Sequence, residues 1–380
     1  MPKLIKLLSG VAAAATLAAI TAAPAMADPI GSNGKSVVPQ SYDVVGVGSN
    51  TTQYVLDQIS VDYNKTIPAS KHSASHPYFY TWDAVKPGSS SSVPTKIVPK
   101  AGCKSITRPN GSTAGLNALK ISQQIAGGHY CVDFGRSSSG RSSSAPGLGP
   151  GGVSYVAFAT DAVTWATRAA NHGGSDAPAS LTLAQLKGIF TCQTTNWNQV
   201  GGKNGAIKVY LPQPGSGTLS FWEKVMGITT LGSCVDQHPE ENEGTYSGFN
   251  NKNAIFIFSI GSYIAEKYHS AACGKTPTGT QNKFGCNTIG VLGINKISGV
   301  APTTTAAVPV TNPNFPSAFH RTLYNILRWT TTSDHIPSNL EPIFARSHAK
   351  VKGYLCTNAT AIKDIKNYGF IPTNLCGSIS

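Results

Sequence analysis

Short apolar stretches alternate with amphipathic ones along most of the chain. The run Val44-Val45-Gly46-Val47 predicts a buried strand, and the apolar spacing from Thr51 to Lys65 predicts a helix directly after it. The same reasoning predicts strands over residues 153–159 and 207–211, helices over 116–126, 183–190, 219–226 and 319–329, and a strand-to-helix transition over 255–266. Strands that alternate with helices favour an α/β fold built on mainly parallel sheets.

Three stretches rich in Pro, Ser, Gly or Thr interrupt this alternation and are predicted to be surface loops. They cover residues 86–100, 137–152 and 300–316. The remaining chain is longer than a single hydrophobic core usually serves, which predicts two domains.

The first 27 residues have the three parts of a secretory signal peptide. Lys3 and Lys6 give a positive start, residues 7–23 are apolar, and Ala25-Met26-Ala27 supplies the small residues that a signal peptidase reads. The apolar run is shorter than the roughly 20 residues of a membrane span. No cysteine follows it that would carry a lipid anchor. We therefore expect cleavage near Ala27 and export of a soluble protein to the periplasm or the extracellular space.

The eight cysteines all follow the predicted cleavage site, and an even number in an exported chain predicts disulfides. No Cys-x-x-Cys pair or histidine cluster is present, so neither a metal nor another cofactor is expected. Pairing each cysteine with its neighbour in sequence closes modest loops and is one of about a hundred possible pairings. This pairing is Cys103–Cys131, Cys192–Cys234, Cys273–Cys286 and Cys356–Cys376.

Without Lys3 and Lys6, 28 basic residues face 17 acidic ones, which leaves a net charge of +11. This balance favours an anionic partner: a small anion, a polyanionic cell wall or nucleic acid. The basic residues are scattered and form no run with interleaved aromatic residues, which argues against nucleic acid.

Three turns rich in hydroxyl side chains stand at predicted helix starts. They are Gly48-Ser49-Asn50-Thr51-Thr52, Gly111-Ser112-Thr113-Ala114-Gly115 and Gly215-Ser216-Gly217-Thr218. The first turn of a helix exposes unpaired N–H groups and partial positive charge, which suits an anion. Any one of these turns is also explained as an ordinary helix cap. Three of them in a basic, exported α/β protein favour a shared anion site, because ligands collect at the carboxyl ends of strands.

A fourth segment, Val-Asp-Phe-Gly-Arg-Ser-Ser-Ser over residues 132–139, places Arg136 beside Ser137 and Ser138. A guanidinium group is well shaped to clamp an oxyanion. An exposed loop arginine is an equally good explanation. Asp133 is expected to hold this loop through backbone hydrogen bonds.

These four segments, in this order, resemble the phosphate-binding proteins of bacterial ABC importers, within the periplasmic-type solute-binding proteins of type II fold. The likeness spans about residues 43–266, and Gly-Ser-Gly-Thr at 215–218 is its most specific motif. Carried over by position, it implies ligand contacts from Asn50, Thr51, Ser112, Ser216, Gly217 and Thr218. The full candidate set adds Ser49, Thr113, Arg136, Ser137 and Ser138.

The chain departs from the family pattern at two positions. The family's anion-binding arginine falls at Pro212, and the aspartate that accepts the proton of a protonated phosphate falls at Ser138. Arg136, where the family has alanine, is a hypothetical replacement for the lost positive charge. The identity of the oxyanion therefore stays open, with phosphate as the first expectation.

The resemblance implies two α/β lobes joined by a hinge, each with a mixed, mainly parallel sheet flanked by helices. We expect residues 40–157 and 288–380 to form lobe 1, residues 158–287 to form lobe 2, and the anion to lie between them. Every predicted disulfide then stays within one lobe. The protein is expected to be a monomer that delivers its ligand to an ABC permease.

Two other functions are alternatives. A secreted phosphatase or hydrolase would need an activated nucleophile, and neither a Gly-x-Ser-x-Gly nor a His-Glu-x-x-His motif is present. The only clustered acids, Glu240, Glu241 and Glu243, are more simply explained as a solvated turn than as part of the second lobe's lining. A cell-wall-associated protein that keeps the fold without transport is the other alternative. A non-enzymatic binding protein is the preferred interpretation.

Overall fold

The computed structural model describes residues 28–31, 36–86, 94–142, 147–269, 288–330, 336–346 and 351–380. The predicted signal peptide and the predicted Cys273–Cys286 pair lie outside these residues. No helix in the described ranges combines the length and apolarity of a membrane span.

The described chain contains both helices and strands, interspersed along its length. The helices are α1 (Gln53–Lys65), α2 (Ser112–Lys120), α3 (Leu183–Phe190), α4 (Gly217–Met226), α5 (Ile260–Tyr268), α6 (Tyr354–Thr357) and α7 (Ala359–Asn367). The strands are β1 (Val44–Gly48), β2 (Phe79–Thr81), β3 (Lys96–Ile97), β4 (Ile106–Thr107), β5 (Phe134–Ser137), β6 (Val153–Arg168), β7 (Ser180–Leu181), β8 (Lys208–Tyr210), β9 (Val235–Asp236), β10 (Ala254–Ser259), β11 (Leu292–Ile294), β12 (Lys296–Ile297), β13 (His320–Arg328), β14 (Ala345–Arg346), β15 (Val351–Lys352) and β16 (Ile371–Pro372).

The main sheet is mixed, with the strand order β2-β1-β5-β13-β6-β10-β8-β9, and β11 and β16 also pair with β6. Its outer pairs are parallel: β1 with β2 and β5, and β8 with β9 and β10. At the centre, β13 and β6 run antiparallel, with a shift of register between Leu323 and Tyr324. The α/β class is confirmed, and the parallel pairs lie on either side of an antiparallel centre.

The strand β6 belongs to both ends of the sheet. Its first part, up to Ala162, pairs with β13, and its second part, from Val163, pairs with β10 and then β11. At about 3.3 Å per residue, its 16 residues span about 50 Å. A single strand therefore runs from one side of the molecule to the other.

Two large hydrophobic cores lie on the two sides of the molecule. One includes Val44, Leu56, Phe79, Phe134 and Leu323. The other includes Trp165, Trp197, Trp222, Ile257 and Phe319. Separate cores agree with a two-lobed α/β molecule, while the residue boundaries predicted for the lobes stay a prediction.

The predicted helix over residues 319–329 is wrong, because these residues form the central strand β13. Phe319, Leu323 and Ile326 follow helical spacing, which misled the prediction. The segment gains ladder hydrogen bonds from β5 on one edge and β6 on the other, and such pairing overrides weak helix propensity. The helix α2 also begins and ends earlier than the predicted 116–126.

Three of the predicted disulfides are confirmed. They join Cys103 to Cys131, Cys192 to Cys234, and Cys356 to Cys376.

A buried carboxyl in α5 makes stability depend on pH. Burial raises the pKa of Glu266 to about 8, and hydrogen bonds from the N–H and hydroxyl of Thr288 oppose that rise. The folded chain therefore keeps a proton that the unfolded chain releases at lower pH. Because the folded state binds more protons, its stability falls as the pH rises from about 4.5 to about 8.

We expect Glu266→Gln to remove this fall of stability with rising pH, because glutamine keeps an acceptor for Thr288 and carries no charge. Between pH 6 and 9 the free energy of unfolding of the wild type should fall by about 2–3 kcal/mol more than that of the variant. Urea unfolding at several pH values measures the difference, with Glu223→Gln on α4 as the control. Parallel curves for the wild type and the Glu266 variant would contradict the expectation.

Candidate functional site

The hydroxyl-bearing segments predicted from the sequence meet at one buried point. Thr51 Oγ1 lies 3.4 Å from Thr218 Oγ1, and Ser112 Oγ lies 3.4 Å from Ser138 Oγ. Ser49 donates its hydroxyl to Ser138 Oγ over 3.1 Å. Each of these five side chains is at most 4% exposed. We call them the hydroxyl cluster.

The strands explain this convergence. β1 and β5 are parallel neighbours, with Gly48 opposite Arg136, so the turns that follow them lie side by side. Gly48 has a φ of +121°, and a Cβ atom there would lie 2.8 Å from the carbonyl oxygen of Arg136 and 2.9 Å from the Cα of Gly115. Only glycine lets the first helix turns pack this closely.

The turn before α4 contacts the cluster from the side of the second core, which contains Trp222. The main-chain N–H of Thr113 donates to the carbonyl of Gly215 over 3.3 Å, and Asn110 donates to Glu240 over 2.7 Å. A Cβ atom on Gly217 would overlap the hydroxyl oxygens of Ser112 and Ser138. The two sides of the molecule are therefore in direct contact at the cluster.

Other predicted ligand residues use their polar atoms elsewhere. Ser216 caps α4 by accepting the N–H of Leu219, and Ser137 donates to the carbonyl of Ser139. Thr113 is exposed. Asn50 accepts a hydrogen bond from the amide of Asn242.

Arg136 lies two residues before Ser138 in the sequence, but its guanidinium group does not bond to the hydroxyls of the cluster. The group donates to the carbonyls of Ser49 and Gly48 and to the hydroxyl of Thr81. Burial lowers the pKa of Arg136, and the nearby charge of Asp57 opposes this. The structure thus gives this side chain a role in holding the first turn and does not bring it to the hydroxyls.

Asp133, which was expected to hold its own loop, instead links its segment to the neighbouring strand β1. Its carboxylate accepts the main-chain N–H of Val45 and the ammonium group of Lys100, at 2.8 and 2.7 Å.

A different arginine reaches the cluster. Nη2 of Arg321 lies 3.4 Å from Thr51 Oγ1, and Nε and Nη2 donate to Asp161 over 3.0 and 2.8 Å. The two residues are directly opposite each other on β13 and β6. Nη1 of Arg321 is buried without a hydrogen-bond partner. The sequence analysis did not identify Arg321, because its segment was predicted to be a helix. Its only signal in the sequence is a charge within an apolar segment.

Glu241 was also missed. The interpretation of its turn as solvated is wrong for this residue, because its side chain is only 1% exposed. Its Oε1 accepts the N–H of Thr218 over 3.0 Å, and also the hydroxyl of that residue. It further accepts the hydroxyls of Thr51 and Ser138, over 3.2 and 3.3 Å. Its neighbour Asn242 donates to Thr51 Oγ1 over 3.2 Å.

The sequence matches the family model described as "PBP superfamily domain" over residues 81–318. The chain belongs to the PBP superfamily. Its fold is similar to that of an ABC-type phosphate transport receptor from Vibrio cholerae, with 20% identity, a TM-score of 0.50, and coverage of 87% of this chain and 99% of the other. A putative phosphate ABC transporter substrate-binding protein from Clostridium perfringens is 15% identical, with a TM-score of 0.49 and coverage of 87% and 100%. The search of curated proteins found no match.

In this member of the PBP superfamily, an open cleft of about 700 Å³ adjoins the cluster. Ser112, Lys120 and Tyr324 line it from one side, and Phe221 and Lys224 from the other. Arg321 also lines it. The cleft offers an anion a positively charged approach to the cluster.

The cluster presents groups that donate hydrogen bonds to an anion. It offers several hydroxyls, a helix N-terminus and one guanidinium group. Among the described residues, no histidine forms a hydrogen bond with a hydroxyl of the cluster. The described residues also contain no group of three His, Cys, Asp or Glu that is arranged to hold a metal ion.

Proposed function

We propose that this protein is an exported, non-enzymatic receptor that captures a small oxyanion, phosphate first, for uptake by an ABC importer. The observation that carries this proposal is the convergence of Thr51, Ser112, Ser138 and Thr218 on one buried point. These residues come from four separate segments, and a fold needs no such arrangement for packing alone.

The donors of the cluster suit a tetrahedral oxyanion. Thr218 offers both its main-chain N–H at the start of α4 and its hydroxyl, so partial positive charge and a hydrogen-bond donor coincide. Arg321 supplies the full positive charge that was expected from Arg136. Its unpartnered Nη1 is an unused donor beside the cluster.

The groups that would hold the anion are fixed in place before binding, which limits the entropic cost of ordering them. Arg321 is fixed by Asp161, and the turns are fixed by tight glycine packing. We therefore expect micromolar or tighter binding, about −8 kcal/mol or better.

Phosphate is the first anion to test for two reasons. The four segments resemble those of phosphate-binding proteins, and the similar structure from Vibrio cholerae is described as a phosphate transport receptor. The predicted signal peptide, residues 1–27, supports a location outside the cytoplasm. The two predicted lobes would close on the anion and present it to a permease as a monomer.

Calorimetry with phosphate, sulfate, arsenate and molybdate tests the proposal. The expected result is one-to-one binding of at least one of these anions, with phosphate preferred. Absence of binding of all four, by the wild type and by the Glu241 variants described below, would contradict the proposal.

Thr218→Val should weaken the binding of the preferred anion roughly 10- to 100-fold, because hydrogen bonds to a charged group contribute roughly 1.5–3 kcal/mol each. The variant keeps the shape of the side chain and its main-chain N–H. Thr245→Val is the matched control, since it makes the same change at an exposed position on the same side of the molecule. Equal affinities for the Thr218 variant and the control would remove Thr218 from the proposed ligand set.

A further inference from the structure

The carboxylate of Glu241 lies where the proposed anion should bind. Its Oε1 accepts hydrogen bonds from the N–H and hydroxyl of Thr218 and from the hydroxyls of Thr51 and Ser138. The proposed function assigns the same donors to the external oxyanion. A hydroxyl has only one hydrogen to donate, so a hydroxyl aimed at Glu241 is not available to a ligand.

The surroundings of this carboxylate differ from those of an ordinary buried ion pair. Among the described residues, Glu241 belongs to no ion pair, since the nearby guanidinium of Arg321 bonds to Asp161. Its second oxygen, Oε2, is buried and has no hydrogen-bond partner. An ionised carboxylate is costly to bury without a cation. It is held here by the neutral donors and helix N-terminus that make the cluster suitable for negative charge.

The carboxylate also joins the two sides of the molecule. Thr51 and Ser138 follow strands of the first core, whereas Thr218 and Glu241 flank the second. One oxygen atom therefore receives hydrogen bonds from both sides, as an oxyanion between two lobes would.

We infer that Glu241 is a tethered competitor for the oxyanion site, which an external anion must displace in order to bind. This inference rests on the proposed function. It also makes Glu241 a determinant of specificity. A tetrahedral oxyanion with two charges and four acceptor oxygens competes well against one carboxylate oxygen, whereas a monovalent anion such as formate does not. Displacement requires the side chain of Glu241 to leave the cluster.

Calorimetry of phosphate binding to Glu241 variants tests this inference. Glu241→Ala should bind phosphate about tenfold tighter than the wild type or better, because the donors are free. Glu241→Gln, which keeps the size of the side chain and loses its charge, should also bind more tightly and serves if the alanine variant does not fold. Glu243→Gln is the matched control. It removes a charge from the same turn, and its carboxylate accepts from Thr245 rather than from the cluster.

Formate supplies a second measurement. In Glu241→Ala, formate can take the place of the missing carboxylate and should weaken phosphate binding in competition, whereas it should have no effect on the wild type. The inference is overturned if both neutral variants bind phosphate as weakly as the wild type or more weakly. It is also overturned if formate does not compete in the alanine variant. If no variant binds any oxyanion, the proposed function fails instead.

Discussion

Gly217→Ala is expected to lower oxyanion affinity about 100-fold or more, comparable with the loss of rate that follows removal of one preorganised oxyanion donor in an enzyme. Gly217 begins α4, and an added Cβ atom would overlap the hydroxyl oxygens of Ser112 and Ser138 and lie 3.1 Å from the carbonyl carbon of Ser138. The methyl group would thus hold the two sides of the cluster apart. Each core lies away from this contact, so the fold should persist at a cost of about 1–3 kcal/mol.

Calorimetry with phosphate measures this loss, and circular dichroism verifies the fold. Gly147→Ala is the control, because a Cβ atom at Gly147 meets no atom within 4 Å and its φ is outside the left-handed region. A Gly217 variant that binds phosphate within threefold of this control would show that close contact between the two sides is not needed.

Arg321→Met is expected to lower both stability and anion affinity. The side chains of Arg321 and Asp161 are 3% and 0% exposed, so the substitution leaves a buried, unpaired carboxylate. Breaking a buried pair in this way costs about 3–5 kcal/mol. Loss of the guanidinium group also removes the positive charge that contacts the hydroxyl of Thr51, and we expect affinity to fall about 100-fold or more.

The double variant Arg321→Met, Asp161→Asn separates these two effects. Asparagine removes the unpaired charge and still accepts the N–H of Gly261, which Asp161 accepts over 3.1 Å. Most of the stability should return in urea unfolding, while phosphate affinity should stay as low as in the single variant. Recovery of both quantities in the double variant would mean that Arg321 has a structural role alone.

Local signals in the sequence were sufficient for much of the fold. Gly-rich turns before helices placed Ser49, Thr51, Ser112 and Thr218, because strand ends and helix starts are determined by nearby residues. Pairing cysteines with their sequence neighbours gave three correct disulfides, since each closes a loop within one side of the molecule.

The groups that the sequence did not reveal depend on long-range pairing. Arg321 meets Asp161 only because β13 and β6 are in register, 160 residues apart along the chain. Glu241 is buried only because the turns of both sides close around it, and an acidic turn by itself suggests exposure to solvent. Arg136 shows the reverse error. It has the right neighbours in sequence, but its guanidinium donates to the carbonyls of Ser49 and Gly48 and to Thr81, not to the hydroxyls of the cluster.

The strand β6 limits how the two sides can move. A flexible linker allows a domain to swing in any direction, whereas an extended strand with partners on both edges resists stretching and in-plane rotation. We therefore expect any widening of the cleft to be a shallow flexing of the sheet where β6 exchanges β13 for β10, near the irregular pairing after Leu323. We expect such a joint to permit only a small opening of the cleft and to exert an elastic restoring force that closes it again.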